Sequence, residues 1–165
     1  MLRYKTMIAL ININSYDLVF VITAVLFNLL IAAIFVAVKH NRTRLVRTLG
    51  VISLSTAAPF AVSFLHTVQT VNDSIIQVYF GFIFLYLAVE LLLDFVLKID
   101  FRKSRLTHIP YILLEYMALF GIIAIAFSIH PTWGYIVSIT FWILMASLIY
   151  LYWDKIFPSK RESYS

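Results

Sequence analysis

Five apolar stretches, each long enough to cross a membrane as a helix, fill most of this 165-residue chain. A bilayer hydrocarbon core is about 30 Å thick and takes about 20 helical residues to cross. Only 13% of the residues are charged, whereas about a quarter are charged in soluble domains. We therefore expect an all-α integral membrane protein. In chain order, the predicted spans are Leu18–Val38, Leu49–Val68, Ile75–Val96, Ile109–Ile129 and Gly134–Trp153.

The basic residues alternate between the joints that separate the spans. All but Arg3 and Lys5 of the 13 Lys and Arg residues follow the first, third or fifth span, namely Lys39, Arg42, Arg44, Arg47, Lys98, Arg102, Lys103, Arg105, Lys155, Lys160 and Arg161. The second and fourth joints, 67–74 and 130–133, carry none. Because basic loops stay in the cytoplasm, we expect an N-terminus outside and a cytoplasmic C-terminus in a multi-pass protein of the plasma membrane.

The joints are short, so each span should pack antiparallel to the next in an up-and-down bundle. We expect residues 1–17 to form an interfacial arm, 18–153 the transmembrane domain and 154–165 a polar cytoplasmic tail. The net charge of +5 lies in the joints and the tail, which suits contact with anionic lipid headgroups. The expected partners are therefore the bilayer and either further copies of this chain or another membrane protein, with no nucleic acid.

Two spans carry residues with a predicted structural role. Ala24, Asn28 and Ala32 recur every four residues in the first span, and small residues allow membrane helices to approach closely. A similar stripe in the second span predicts a tight hairpin, with Asn28 hydrogen-bonding across it. Pro59 should bend the second span, with Ser55 as the candidate partner for the carbonyl that proline frees.

Three carboxyl groups inside predicted spans are the strongest functional signal. Glu90 and Asp94 are four residues apart, which places them on one helix face. If Lys98 marks the cytoplasmic boundary, Glu90 lies about 12 Å deep, and Glu115 on the next span lies about 9 Å deep. Charged groups in hydrocarbon are costly, so these side chains should turn inward.

These acids predict a cytoplasm-facing pocket for a proton, a metal cation or an organic cation, without specifying a metal. Tyr86, Tyr116 and Ser147 are the expected lining groups. The alternative is structural, with Asp94 paired to Lys98 and Glu115 paired to a basic residue that extends from the joint.

Aromatic residues near the span ends, Tyr111 and Tyr152 among them, match the interfacial belt of membrane proteins.

His40, His66, His108 and His130 suggest a haem site, but histidines at or beyond helix ends are poorly placed as ligands, so we expect no cofactor. Cysteine is absent, and the chain contains neither a zinc-protease signature nor a nucleophile elbow. An enzyme is therefore the less favoured interpretation.

The favoured function is a small transporter or channel-like protein with an acidic site for a proton or cation. One alternative is a non-catalytic membrane subunit that assembles partner proteins through its basic joints and tail. Another is a sensor module, whose ligand should bind in the outer half, where Gln77 and His66 are the main polar groups.

Overall fold

A computed structural model describes residues 14–70, 73–97 and 105–156, with the side chains at 94, 95, 105–108 and 154–156 excepted. The described chain is helical and contains no strand. Its helices are α1 (Ser15–Lys39), α2 (Thr43–Ser55), α3 (Ala57–Thr70), α4 (Ser74–Glu90), a π-helix (Leu91–Leu97), α5 (Arg105–Ile129) and α6 (Pro131–Ile156).

Within the described residues, five helical units are long and apolar enough to cross a membrane, with α2 and α3 together forming the second. The prediction of five long apolar helices is confirmed, and this pattern indicates a multi-pass membrane protein. Consecutive spans pack side by side, and α1 also packs along α6. The first span therefore contacts both the second span and the last.

Local capping explains where two of the helices begin. Asn14 accepts a hydrogen bond from the Tyr16 amide at 3.4 Å, and Asp73 accepts one from the Ile75 amide at 2.8 Å. Such side chains satisfy amides that have no partner within the first helical turn. Because α1 begins at Ser15, the last three residues of the predicted arm are helical, while residues 1–13 lie outside the described chain.

The second span is interrupted at Thr56, between α2 and α3. A proline ring clashes with the carbonyl four residues earlier, which for Pro59 is that of Ser55, the last residue of α2. The helix is thus interrupted three residues before Pro59, where the sequence predicts a bend, but the predicted role of Ser55 is wrong. Its hydroxyl donates to the Ile52 carbonyl at 2.6 Å, within its own helix turn.

Asn28 hydrogen-bonds to the last span rather than to the second, so the predicted contact is wrong. Its side-chain amide donates to the Thr140 hydroxyl at 2.9 Å and to the Val137 carbonyl at 3.4 Å. Asn28 is only 1% exposed, which places this polar contact in the centre of the bundle. Its effect is to hold α1 against α6.

Phenylalanine rings connect the first three spans. Phe60 of α3 lies 5.6 Å from Phe20 and 5.9 Å from Phe27 of α1, measured between ring centroids. Phe20 in turn lies 5.6 Å from Phe80 of α4. All four rings are fully buried, so large aromatic side chains, rather than small residues alone, fill the contact between the first and second spans.

The backbones of α4 and α5 approach closely where Gly121 faces Tyr79. A Cβ atom added at Gly121 would lie 3.3 Å from the Tyr79 carbonyl oxygen. A Cβ added at Gly81 on α4 would meet no atom within 4 Å. The two glycines therefore provide a crowded position and an open one on the same pair of helices.

Gly121→Val should destabilise the fold by about 1–3 kcal/mol, because the added side chain must separate α4 from α5. Gly81→Val is the matched control, with the same loss of glycine in a helix but no steric conflict. The measurement is unfolding of both variants in lipid–detergent bicelles. Equal losses of stability in the two variants would contradict the close approach at Gly121.

Candidate functional site

A cavity of about 560 Å³ lies at the end of the bundle where α1 ends. We call this end the basic end, because Lys39, Arg42, Arg44 and Arg47 lie there. All five spans contribute to the wall. The lining residues are Ile31, Ile34, Phe35, Val38, Gly50, Ser53, Tyr86, Glu90, Tyr111, Ile112, Glu115, Tyr116, Leu119, Leu144, Met145, Leu148, Leu151 and Tyr152. We refer to it as the tyrosine–glutamate cavity.

The polar wall of this cavity is built from two copies of one short pattern. Tyr86 precedes Glu90 by four residues on α4, and Tyr111 precedes Glu115 by four residues on α5. Residues four apart share a helix face, and α4 and α5 pack against each other. The two pairs therefore meet in one wall.

Hydrogen bonds join the two pairs across the helix contact. The Tyr111 hydroxyl donates to the Glu90 carboxylate, and the Tyr86 and Tyr111 hydroxyl oxygens lie 3.3 Å apart. Both tyrosines are buried, at 5% and 8% exposure, while Glu90 and Glu115 are half-buried. The two buried tyrosines therefore lie beneath the Glu90 carboxyl group, and Tyr111 holds it in place at the cavity.

The opposite wall is apolar. It comes mainly from α1 and α6, through residues such as Ile31, Phe35, Leu144 and Leu148. Tyr116 lies between the two walls, with its hydroxyl 3.6 Å from the sulfur of Met145. The cavity thus presents carboxyl oxygens on one side and hydrocarbon on the other.

Four of the six predicted site residues are brought together here: Glu90, Glu115, Tyr86 and Tyr116. Ser147 is not among the lining residues. It is 8% exposed, and its hydroxyl donates to the Leu144 carbonyl at 2.7 Å. A serine that hydrogen-bonds within its own helix turn has a structural role in α6.

Asp94 lies in the π-helix that follows α4, not in α4 with Glu90. The backbone at Asp94 belongs to the π-helix Leu91–Leu97, so the α-helical stacking of Asp94 on Glu90 expected from the sequence does not apply. The side chain of Asp94 and the whole of Lys98 lie outside the described part of the chain. π-Helical turns often occur at functional sites, and this one begins directly after Glu90.

Tyr111 and Tyr152 were expected in the interfacial belt, yet both line the cavity. For Tyr111 a signal was present in the sequence, because Tyr-x-x-x-Glu occurs in both the third and the fourth span. Reading the two spans against each other would have placed Tyr111 beside Glu115, as Tyr86 stands beside Glu90. Tyr152 offers no comparable pattern.

The donor set is sparse for a metal ion. Within residues 14–70, 73–97 and 105–156, no three His, Asp or Glu side chains are grouped as metal ligands. The cavity offers two carboxyl groups and phenol hydroxyls, whereas Ca²⁺ takes six to eight oxygen ligands.

The described histidines have contacts at helix ends. His66 lies 3.0 Å from the Asn14 side-chain nitrogen and stacks on Tyr16 with ring centroids 4.2 Å apart. His130 accepts a hydrogen bond from the Thr132 amide at 3.2 Å. The side chain of His108 is outside the described set. These contacts give His66 and His130 structural roles.

A smaller cavity, of about 250 Å³, lies at the opposite end of the bundle. Its polar lining includes Asp17, Ser63, Thr67 and Ser128. Gln77 and His66, the polar groups expected in this half, do not line it. This opposite end therefore holds a carboxyl group that is remote from the tyrosine–glutamate cavity.

Comparison of the chain with protein-family models, curated proteins and solved structures gives no match.

Ile112 and Leu113 provide a direct test of the cavity, since the chain has no cysteine of its own. Ile112 lines the cavity, while Leu113 points outward and is 62% exposed. A thiol reacts as its thiolate, which requires water. In proteoliposomes, Ile112→Cys should react with a charged maleimide at least about ten times faster than Leu113→Cys.

The two cysteines lie at nearly the same depth, so the comparison separates a water-accessible cavity from a dry interior. Equal labelling rates, or faster labelling at Leu113→Cys, would contradict the described cavity.

Proposed function

We propose that this protein is a cation-binding membrane protein of the carrier or channel type, and that the tyrosine–glutamate cavity is its binding site. The supporting observation is that Glu90 and Glu115, from neighbouring spans, line one cavity. Ionisable groups within membrane spans are costly and typically mark the pathway of an ion or substrate.

The physical argument rests on the two acidic groups that neighbouring spans bring to one cavity. Two carboxyl groups facing one cavity repel each other when both are ionised, and a cation or a proton between them relieves that repulsion. The Tyr111 hydrogen bond holds Glu90 in place, so the site is organised before a ligand arrives. Such preorganisation lowers the entropic cost of binding.

We also propose an orientation of the protein in the membrane. The cavity lies at the basic end, and basic joints remain in the cytoplasm. We infer an outside N-terminus, a cytoplasmic C-terminus and a cavity that opens to the cytoplasm of the plasma membrane. A single bundle of five spans encloses little space, so a transporting form is expected to be a homo-oligomer.

The main alternative is a non-catalytic subunit that assembles partners through its basic joints and tail. In that case the intramembrane acids would be buried between helices rather than lining a cavity. The half-buried state of Glu90 and Glu115 in a cavity wall favours the cation-binding interpretation.

The test is thermal unfolding of purified protein against a panel of cations and pH values. A ligand at 100 times its dissociation constant stabilises the folded state by about 2.7 kcal/mol, which corresponds to a shift of roughly 5–10 °C for a chain of this size. The wild type should show such a shift with at least one cation or with protons. The double variant Glu90→Gln, Glu115→Gln should lose it.

Asp17→Asn is the matched control, because it also removes one carboxyl group but lies at the opposite end of the bundle. This control should keep the wild-type shift. The proposal fails if the double variant responds as the wild type does, or if no member of the panel stabilises either protein.

A further inference from the structure

We propose that the ligand of the tyrosine–glutamate cavity is a lipophilic organic cation, that is, a single positive charge carrying apolar or aromatic substituents. Quaternary phosphonium and ammonium compounds are examples of this chemistry. The inference rests on the proposed function and specifies its substrate class.

The size of the cavity is the first argument. Its volume of about 560 Å³ falls in the range of about 300–1,000 Å³ typical of sites for organic ligands. A bare metal ion or a proton needs only a small fraction of this space. The remainder must be filled by water or by the body of a larger ligand.

The positions of the polar groups favour the body of a larger ligand over water as the filling of the cavity. Around Ile31, Phe35, Leu144 and Leu148 the wall is hydrocarbon, which offers water no hydrogen bonds, so covering it with apolar groups is favourable. The carboxyl groups are confined to the α4–α5 wall. A ligand that matches both walls is charged at one point and apolar elsewhere.

Aromatic rings supply the third argument. Tyr86, Tyr111, Tyr116, Tyr152 and Phe35 all line the cavity, and the faces of such rings attract organic cations. A tyrosine at the same end of the bundle already makes this type of contact, since the Lys39 ammonium lies 4.3 Å from the centre of the Tyr150 ring. Weakly hydrated organic cations gain most from ring faces, because little water must be removed from them.

Methyltriphenylphosphonium is a suitable probe, with three matched comparisons. Triphenylphosphine oxide has nearly the same shape but no net charge, tetramethylammonium has the charge without the aromatic body, and Mg²⁺ is a hard metal ion. Binding is measured by equilibrium dialysis of detergent-solubilised full-length protein. Dialysis of protein-free detergent micelles, run in parallel, corrects for partition of the probe into detergent.

Methyltriphenylphosphonium should bind at least about ten times more tightly than each of the three comparison compounds. The double glutamine variant should lose at least a factor of ten in affinity for it. Tyr116→Leu should weaken binding about five-fold, in line with the loss of one ring contact, while Tyr116→Phe should retain wild-type affinity. Tyr135→Leu, an exposed position at the opposite end of α6, is the control and should bind as the wild type does.

The outcomes separate this inference from the proposed function. If Mg²⁺, tetramethylammonium or protons bind in a carboxyl-dependent manner and the phosphonium does not, the substrate class is wrong and the cation site stands. Equal binding of phosphonium and phosphine oxide makes the cavity a neutral hydrophobic site and also overturns the inference. If no cation depends on Glu90 and Glu115, both proposals fail together.

Discussion

The position of carboxyl groups within long apolar helices constrains this fold more than any other feature. A carboxylate that faces hydrocarbon loses its hydration and gains nothing in return, so Glu90 and Glu115 must turn toward the interior. They do so on adjacent helices, where Tyr111 donates a hydrogen bond to Glu90. The close approach of α4 and α5 at Gly121 holds these two helices together, and the cavity forms beside them.

Much of this arrangement could be predicted from the sequence, because the thickness of a membrane and the cost of buried charge constrain each helix separately. The number of helices followed from the lengths of the apolar stretches. That Glu90 and Glu115 line one cavity followed from their similar distances to the same end of the bundle. Tyr86 followed from its helical spacing to Glu90. Tyr111 was missed because its position near a span end matched the interfacial belt, although its spacing to Glu115 repeats that of Tyr86 to Glu90.

The errors concern contacts that depend on the arrangement of whole helices. Asn28 was expected to contact the second span, since a short joint makes that span its neighbour, but α1 also packs along α6 and Asn28 reaches Thr140 there. No pattern within α1 reveals which neighbour a buried polar side chain will face. Pro59 predicted a bend, but the carbonyl that Pro59 frees is that of Ser55 itself, and the Ser55 hydroxyl donates to the Ile52 carbonyl instead.

The central claim is that Glu90 is a carboxyl group facing a cavity that receives a cation. Infrared difference spectroscopy of the protein in lipid, recorded as methyltriphenylphosphonium is added, tests it directly because carboxyl vibrations respond to a nearby charge. The account predicts a change in the carboxyl bands that disappears in Glu90→Gln and persists in Asp17→Asn. Identical difference spectra for the wild type and Glu90→Gln would contradict it.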